Sequence, residues 1–583
     1  MNFYIYMPTL LQINIASNWG STGKIMEQIG LCAQSHGWKS YVTYGRKKCH
    51  NPSKNNVIRI GTTFDAYEHY AENLFLDNEG LASRRATKRF LKKVDEIKPD
   101  IVHLHVIHDH YLNYPMLFKY LAEKKIPVVW TQHDQWAITG HCCYNLVGCE
   151  RWKEECHDCP MSKWFSIDQS RRNFRLKKKL MAGIPSLTIV PVSEWLGDNI
   201  HLSHLKDRDI KVIHNGIDIM TFSPQPTNAY ERYDIDKSKK IVLGVAAVWD
   251  KRKGLDDFYE LAERLPATDY AIVIVGQRTE DIKHIENGCQ MVFIERTQNA
   301  LELAQLYSSA SVFVNPTYQD NYPTTNLEAI ACGTPVITYK TGGSPEAVDE
   351  GSGLVVEQGD INGLISAIER LSKEDCKDTC RKRAEREFDN SKCFNPYILL
   401  YNKLLGGGKT IVLGVASVWS RGKGLEDYIN LSRNPDFVVI IVGLNSEQVE
   451  CLRGEEYKDC NLVLVCRTQS QYELAMLYSL ADVTLSLSYF ETFGLTLVES
   501  LSCGTPVVLY DNTGQSNIPS YNTGLLIETG NVEAVAEAVR SLSVTPFFPM
   551  DCRKRALDFY DKDECFKKYI ELYNFLINTD YSK

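Results

Sequence analysis

The chain has 583 residues, with 65 Lys and Arg against 73 Asp and Glu, a formal charge of −8. Hydrophobic residues make up 44% and charged residues 24%, which excludes collagen-like, coiled-coil and largely disordered chains. No apolar run nears the ~18 residues of a membrane span. The start, MNFYIYMPTLLQINI, lacks the basic n-region, apolar h-region and small-residue cleavage site of a secretion signal. A cytoplasmic protein is therefore expected, with its 18 Cys mostly reduced. Residues 1–237 carry a balance of +6 and the remainder −14, which fits either an anionic partner of the front half, nucleic acid or a phospholipid surface, or a plain scatter of solvated charge, the reading that composition alone favours.

In chain order, residues 1–220 alternate short apolar runs with helical stretches. LLQINI, DIVHLHV, PVVWTQHD, LTIVPVS and KVIHNGID read as strands. After the first comes Gly20-Ser21-Thr22-Gly23-Lys24, opening a helix with Ile25, Ile29 and Cys32 on one face and Gly37 at its end. A glycine turn at a helix N-terminus offers backbone N–H groups to phosphates or sugar hydroxyls; a plain tight turn fits the same residues. Two basic runs follow, Arg84, Arg85, Lys88, Arg89, Lys92 and Lys93, then Arg171, Arg172, Arg175, Lys177, Lys178 and Lys179. With Phe90, Leu91, Val94 and Phe174, Leu176, Leu180 beside them, they read either as amphipathic helices on an anionic membrane or as solvated faces. Cys142, Cys149, Cys156 and Cys159 form C-x6-C-x6-C-x2-C in a polar loop. A structural four-thiolate zinc site, free thiols and a disulfide all fit that spacing.

Beyond residue 240 the chain repeats itself. IVLGVAAVWDKRKGL at Ile241 matches IVLGVASVWSRGKGL at Ile411 in eleven of fifteen positions. ERTQ and CRTQ, ACGTPVITY and SCGTPVVLY, and CRKRA twice continue the match at a period of about 170 residues, which marks a duplicated domain rather than a solenoid. The seam is set at Gly406-Gly407-Gly408. IVLGVAAV, YAIVIVG, MVFIE, VFVNP and PVITY alternate with LDDFYELAERL and ALELAQLYSSA, a pattern that predicts a doubly wound parallel sheet. The expected fold class is α/β, with domains at 1–220, 221–405 and 409–583.

Each copy also carries two acids flanking seven residues, Asp320 with Glu328 and Glu491 with Glu499, before a small-residue helix and CGTPV. This resembles the E-x7-E signature of the retaining family 4 glycosyltransferases, whose GT-B fold pairs two Rossmann-like domains across a cleft. The glycine loop, His133 in TQHDQW, Ser193 in PVSEWL, His214-Asn215-Gly216-Ile217-Asp218 and Lys253-Gly254 extend the resemblance. HLHVIHDHYLN, TQHDQWAITGHC and DNYPTTNLEA are similar to the subgroup that builds bacterial capsular and exopolysaccharides.

The resemblance implies transfer of a sugar from a nucleotide-diphosphate donor to a saccharide or lipid-linked acceptor, with retention of configuration. Glu328 would bind vicinal ribose hydroxyls, since a carboxylate offers two oxygens to such a pair. Asp320 and His133 would meet the donor sugar. Lys253 and Arg252 would neutralise the diphosphate, with N–H groups near Thr324, Thr325, Gly20 and Gly23 adding to them, so no catalytic metal is required. His105 is the expected contact among the cleft-lining His103, His105, His108 and His110. Glu499 would keep weak nucleotide binding in a non-catalytic second copy, because no second N-terminal domain precedes it. Glu346 has no acidic counterpart at Ile518. The expected setting is cytoplasmic, with peripheral contact at the inner membrane face and no nucleic acid. An epimerase on the same fold and a non-catalytic sugar-nucleotide binding module are the alternatives.

Overall fold

A computed structural model describes residues 7–46, 48–145, 148–162, 167–278, 288–405, 409–468, 470–512, 514–520, 522–544 and 549–578. The glycine seam at 406–408 lies outside them. The chain divides into two compact units, Met1–Ile398 and Leu399–Lys583.

The first unit holds two parallel sheets. One is built from β1 (Thr9–Ile13), β2 (Lys39–Tyr44), β3 (Asn56–Arg59), β4 (Ile101–Leu104), β5 (Val128–Gln132), β6 (Leu187–Pro191) and β7 (Asp209–Ile210), in the order β3-β2-β1-β4-β5-β6-β7. The other is built from β8 (Lys240–Trp249), β9 (Tyr270–Arg278), β10 (Gln290–Ile294), β11 (Val312–Asn315), β12 (Val336–Tyr339) and β13 (Gly353–Val356), in the order β10-β9-β8-β11-β12-β13. Strand order reverses beside β1 and beside β8, and ligands of such sheets bind outside the strand C-termini at that reversal. Leu10, Leu11 and Ile13 of β1 and Ile241, Val242 and Leu243 of β8 have no exposed surface. Both faces are covered by helices, which is why these strands read as unbroken apolar runs.

The second unit repeats the second sheet with β14 (Thr410–Val415), β15 (Phe437–Val442), β16 (Leu462–Val465), β17 (Val483–Ser486), β18 (Val507–Tyr510) and β19 (Gly524–Ile527), in the order β16-β15-β14-β17-β18-β19. The duplication extends to packing detail. A Cβ on Gly244 would stand 2.5 Å from the Phe258 ring, and one on Gly414 would stand 2.5 Å from the Tyr428 ring. Each central strand thus keeps glycine because a helix aromatic packs directly against it.

Most predicted strands form. KVIHNGID does not: the edge strand β7 is two residues long and ends at Ile210, and His214–Asp218 is irregular apart from a bridge between Ile217 and Asp389. β2, β3 and β13 went unread. The basic runs do form helices, Arg84–Ile97 and Ser170–Ala182, but their apolar residues face inward. Phe90, Val94 and Phe174 are at most 2% exposed, and Leu91, Leu176 and Leu180 pack half-buried against the same core, so little apolar face is left to insert into a lipid surface. Lys177 also turns inward, donating to the Trp136 carbonyl at 2.6 Å with its ammonium over the indole. The cations of the first run all remain exposed. No helix among the described residues is long and apolar enough to cross a membrane.

The segment 390–397, after the second sheet, folds back on the N-terminal domain within the first unit. Asn390 Nδ2 donates to Gln28 Oε1 at 3.2 Å, Cys32 Sγ donates to Asn395 Oδ1 at 3.3 Å, and the Tyr397 and Thr131 hydroxyls bond at 2.8 Å.

Candidate active site

The loop between β11 and the helix Thr324–Ala331 carries Asp320 and sets the helix that carries Glu328. Lys253 ends a short 3-10 turn, capped by the Asp250 side chain, which accepts its N–H at 3.0 Å. Gly254 then turns left-handed at φ +74°, and a Cβ there would stand 2.2 Å from the Pro316 carbonyl oxygen. Only glycine lets the backbone pass this close. The turn aims Lys253 Nζ at Asp320 Oδ2, 2.5 Å away. Arg252 donates to the Gln319 carbonyl at 2.9 Å and stacks over the Tyr144 ring at 4.4 Å.

Glu328 accepts the Tyr307 hydroxyl at 3.1 Å. Burial pushes its carboxyl up to about 7, against the lowering influence of Lys24 and the Tyr307 bond. The sequence reading missed both partners. Lys24 was in view as the last residue of the glycine loop, and Tyr307 was marked by its recurrence, LYS at 306–308 and again at 477–479.

The two sheets of this unit meet at His133. Asn321 Nδ2 donates to the His133 carbonyl at 2.6 Å, and Gln319 Nε2 donates to Gln135 Oε1 at 3.0 Å. The His133 ring bonds His105 Nδ1 through Nε2 at 3.1 Å, and His105 Nε2 bonds Gln12 Oε1 at 3.2 Å. Gln12 Nε2 donates to the Met26 carbonyl at 3.0 Å, which fixes Oε1 toward His105. Burial holds His133 down to about 4 and His105 well below its ordinary value, so both rings are neutral near pH 7. His105 then donates from Nε2 and accepts at Nδ1. His133 donates from Nε2 and keeps Nδ1 as a bare acceptor. His105 is thus the support of His133.

The other histidines go elsewhere. His103 bonds Thr131 Oγ1 at 2.7 Å. His110 lies among Arg46, Asp109 and Asn73. His108 sits between Asp134 at 2.9 Å and Glu79 at 3.4 Å, an ion-paired cluster rather than a cleft wall.

Gly20 begins the helix Gly20–Ser35 and Gly23 lies buried on the Ala16 carbonyl, while Thr324 and Thr325 begin theirs. Neither helix has a side-chain cap, so first-turn N–H groups remain available to an anion. Glu346 has a role the sequence did not disclose. Its oxygens accept Glu194 N–H at 2.8 Å, Trp195 N–H at 2.9 Å and His214 Nε2 at 3.0 Å. It therefore ties the second sheet's domain to the helix Glu194–His201 that Ser193 caps. In the second unit Ile518 is 1% exposed and serves the core instead.

The duplicate half-site is preserved. Lys423 Nζ stands 2.6 Å from Glu491 Oε2, and Tyr478 donates to Glu499 Oε2 at 2.9 Å. Its rim differs: Phe490, Phe493 and Leu495 are 87%, 43% and 67% exposed, whereas Gln319 and Tyr322 at the matching first-copy positions are each 6% exposed.

Of the four candidate zinc ligands, Cys142 and Cys159 approach each other with His141, all within 4.8 Å. Cys149 and Cys156 line the same cavity of about 20 Å³ but fall outside that close group. A second group able to hold a metal is His108, Asp134 and Cys143.

The sequence profile of the Glycosyl transferases group 1 family matches residues 228–388 and again 403–558, and that of Glycosyltransferase Family 4 matches 41–220. A "putative colanic acid biosynthesis glycosyl transferase WcaC" of Escherichia coli K12 is 23% identical over 387 residues, 61% of this chain and 89% of that one. A "capsular polysaccharide biosynthesis glycosyltransferase CapM" of Staphylococcus aureus is 25% identical over 234 residues, 37% of this chain and 62% of that one. The sucrose-phosphate synthase of Thermosynechococcus elongatus shares the fold at TM-score 0.52 and 17% identity, covering 69% of this chain and 100% of its own. The first group's matches together span more than half the sequence, and the chain belongs to the Glycosyl transferases group 1 family: it is a glycosyltransferase of the GT-B fold that carries the family's domain twice.

Proposed function

We propose that this glycosyltransferase moves a sugar from a nucleotide-diphosphate donor to a saccharide or lipid-linked saccharide acceptor, with retention of configuration, in surface polysaccharide assembly. The observation that carries the reading is the bond from Asn321 to the His133 carbonyl, because it brings the Asp320–Glu328 loop and the N-terminal wall to one place. The names borne by the Escherichia coli and Staphylococcus aureus relatives support the polysaccharide setting.

In this reading Glu328 takes the ribose hydroxyls, and the Tyr307 bond holds its other geometry in place. Lys253, Arg252 and the N–H groups at the starts of Gly20–Ser35 and Thr324–Ala331 neutralise the diphosphate as it departs, the term that most lowers such a barrier. That assignment gives charge stabilisation to the protein without a catalytic metal. His133, neutral and with Nδ1 as acceptor, takes a donor-sugar hydroxyl. The leaving phosphate receives the acceptor proton on the same face, and the site's contribution is orientation and charge.

The active cleft is assigned to the first unit. The second copy is a non-catalytic nucleotide-binding appendage, a reading favoured by its exposed Phe490, Phe493 and Leu495. The exposed cations of Arg84–Ile97 suit an anionic membrane surface by charge alone. A thermal-shift screen of nucleotide-diphosphate sugars, followed by transfer from the labelled stabiliser to a saccharide acceptor, tests the reading. Stabilisation without any transfer to saccharides would leave the binding-module reading in its place.

A further inference from the structure

Between β5 and the helix Ser170–Ala182 the chain runs from His133 to Gln169 with one three-residue 3-10 turn among its described residues. So long an irregular stretch inside a domain needs something besides a hydrogen-bonded ladder to fix it. It also serves the cleft, because Tyr144 stacks under Arg252 and Gln135 meets Gln319.

The side chains inside this loop have the dimensions of a metal shell. Cys142 Sγ and Cys159 Sγ are 3.9 Å apart, and His141 Nε2 is 3.1 Å from Cys159 Sγ. Zinc–sulfur and zinc–nitrogen bonds of ordinary length set tetrahedral edges of about 3.8 Å between two thiolates and about 3.5 Å between thiolate and imidazole. The sulfur pair already has that spacing, roughly twice a disulfide's ~2.0 Å. The imidazole needs a small ring rotation.

The outer contacts match as well. Asp77 Oδ2 lies 2.9 Å from His141 Nδ1, which places the ring proton there and leaves Nε2 bare toward the sulfurs. A carboxylate on the far nitrogen is the usual support of a metal-bound histidine. Asp77 is itself held by the Gln169 N–H at 3.0 Å, and Asp168 accepts the Cys159 N–H at 2.7 Å. Cys156 Sγ accepts the Gly140 N–H at 3.2 Å, a bond that suits a thiolate, and it faces the same cavity as Cys142 and Cys159. Cys149 also lines that cavity, with its backbone held by Asn145. Of the other metal-capable groups, Asp77 with His141 and Asp168 shares this histidine and supplies its carboxylate support, and His108 with Asp134 and Cys143 has its imidazole taken by Asp134 and Glu79.

We propose that this loop binds one structural zinc ion through His141 Nε2 and the thiolates of Cys142, Cys156 and Cys159, with Asp77 as the support of His141. On binding, each thiol gives up its proton to solvent, so uptake releases protons. The site is closed by four protein ligands and takes no part in the transfer chemistry.

The test uses the full chain, produced with zinc in the medium. Elemental analysis should find about one zinc per chain. X-ray absorption at the zinc edge of the unmutated protein should show three sulfurs at about 2.3 Å and one nitrogen at about 2.0 Å. Cys142→Ser and Cys159→Ser should lose the metal while Cys149→Ser keeps it. A metal-free protein, or full zinc in Cys159→Ser, would overturn the site. Four sulfurs in the absorption spectrum, or loss of zinc in Cys149→Ser with retention in His141→Ala, would overturn the histidine assignment in favour of four thiolates.

Discussion

Lys253 and Asp320 form an ion pair at 2.5 Å that Lys423 and Glu491 repeat at 2.6 Å in the second copy. In each copy the lysine precedes a left-handed glycine, Gly254 at φ +74° and Gly424 at φ +73°. The pair holds a cation and an acid ready at the strand C-termini, where the donor of a doubly wound sheet is bound.

Asp320→Ala and Glu328→Ala are each expected to lower kcat/KM for transfer by about 10- to 150-fold, the equivalent of about 1.5–3 kcal/mol for one charge-assisted contact. The far-UV spectrum should be unchanged. Wild-type turnover by either folded variant would remove the first-unit cleft as the active one.

The pH dependence follows from Glu328, raised to about 7 by burial. The ionised carboxylate is the acceptor of two ribose hydroxyls, so donor affinity should fall about tenfold per pH unit below about 7 and level off above it. Stability runs the other way. A raised carboxyl contributes stability fully below its ordinary value of 4.5, and that contribution is lost as pH rises through about 7. Between those values donor-free melting temperature and donor affinity should move oppositely. Glu328→Gln should flatten both profiles, and an affinity independent of pH in the unmutated protein would refute the assignment.

Glu346→Ala removes the acceptor of two N–H groups and of His214. A loss of about 1–3 kcal/mol in unfolding free energy is expected, measured by urea titration. The matching change in the second copy, Ile518→Ala, should instead behave as a core truncation costing about 2–5 kcal/mol to that unit.

In the full chain, Glu491→Ala with Glu499→Ala should leave transfer within about twofold of wild type while abolishing a second, weaker nucleotide-binding event seen by calorimetry. Loss of transfer in this double variant would show that the second copy completes the active cleft.

Much was legible in the sequence because its causes are local. Buried parallel strands are continuous apolar runs, glycine marks the turn at Gly254, and a repeated pair of acids flanking seven residues, Asp320 with Glu328 and Glu491 with Glu499, sets each pair on one loop and helix. The duplication was plain because IVLGVA and CGTPV are constrained by strand packing, as Gly244 against Phe258 and Gly414 against Tyr428 illustrate. What the tertiary structure decided were the partnerships between residues far apart in the chain. Tyr307 and Lys24 attend Glu328, His105 sets the tautomer of His133, Glu346 reaches Glu194, Trp195 and His214, and the adjacent His141 and Cys142 meet Cys159. The same distinction turned two basic amphipathic runs into helices whose apolar residues are already in the core. Sequence spacing determines which side chains share a turn or a face; only the closure of the fold determines which buried polar group finds which partner, because each must be satisfied by whatever the packing brings within hydrogen-bond reach.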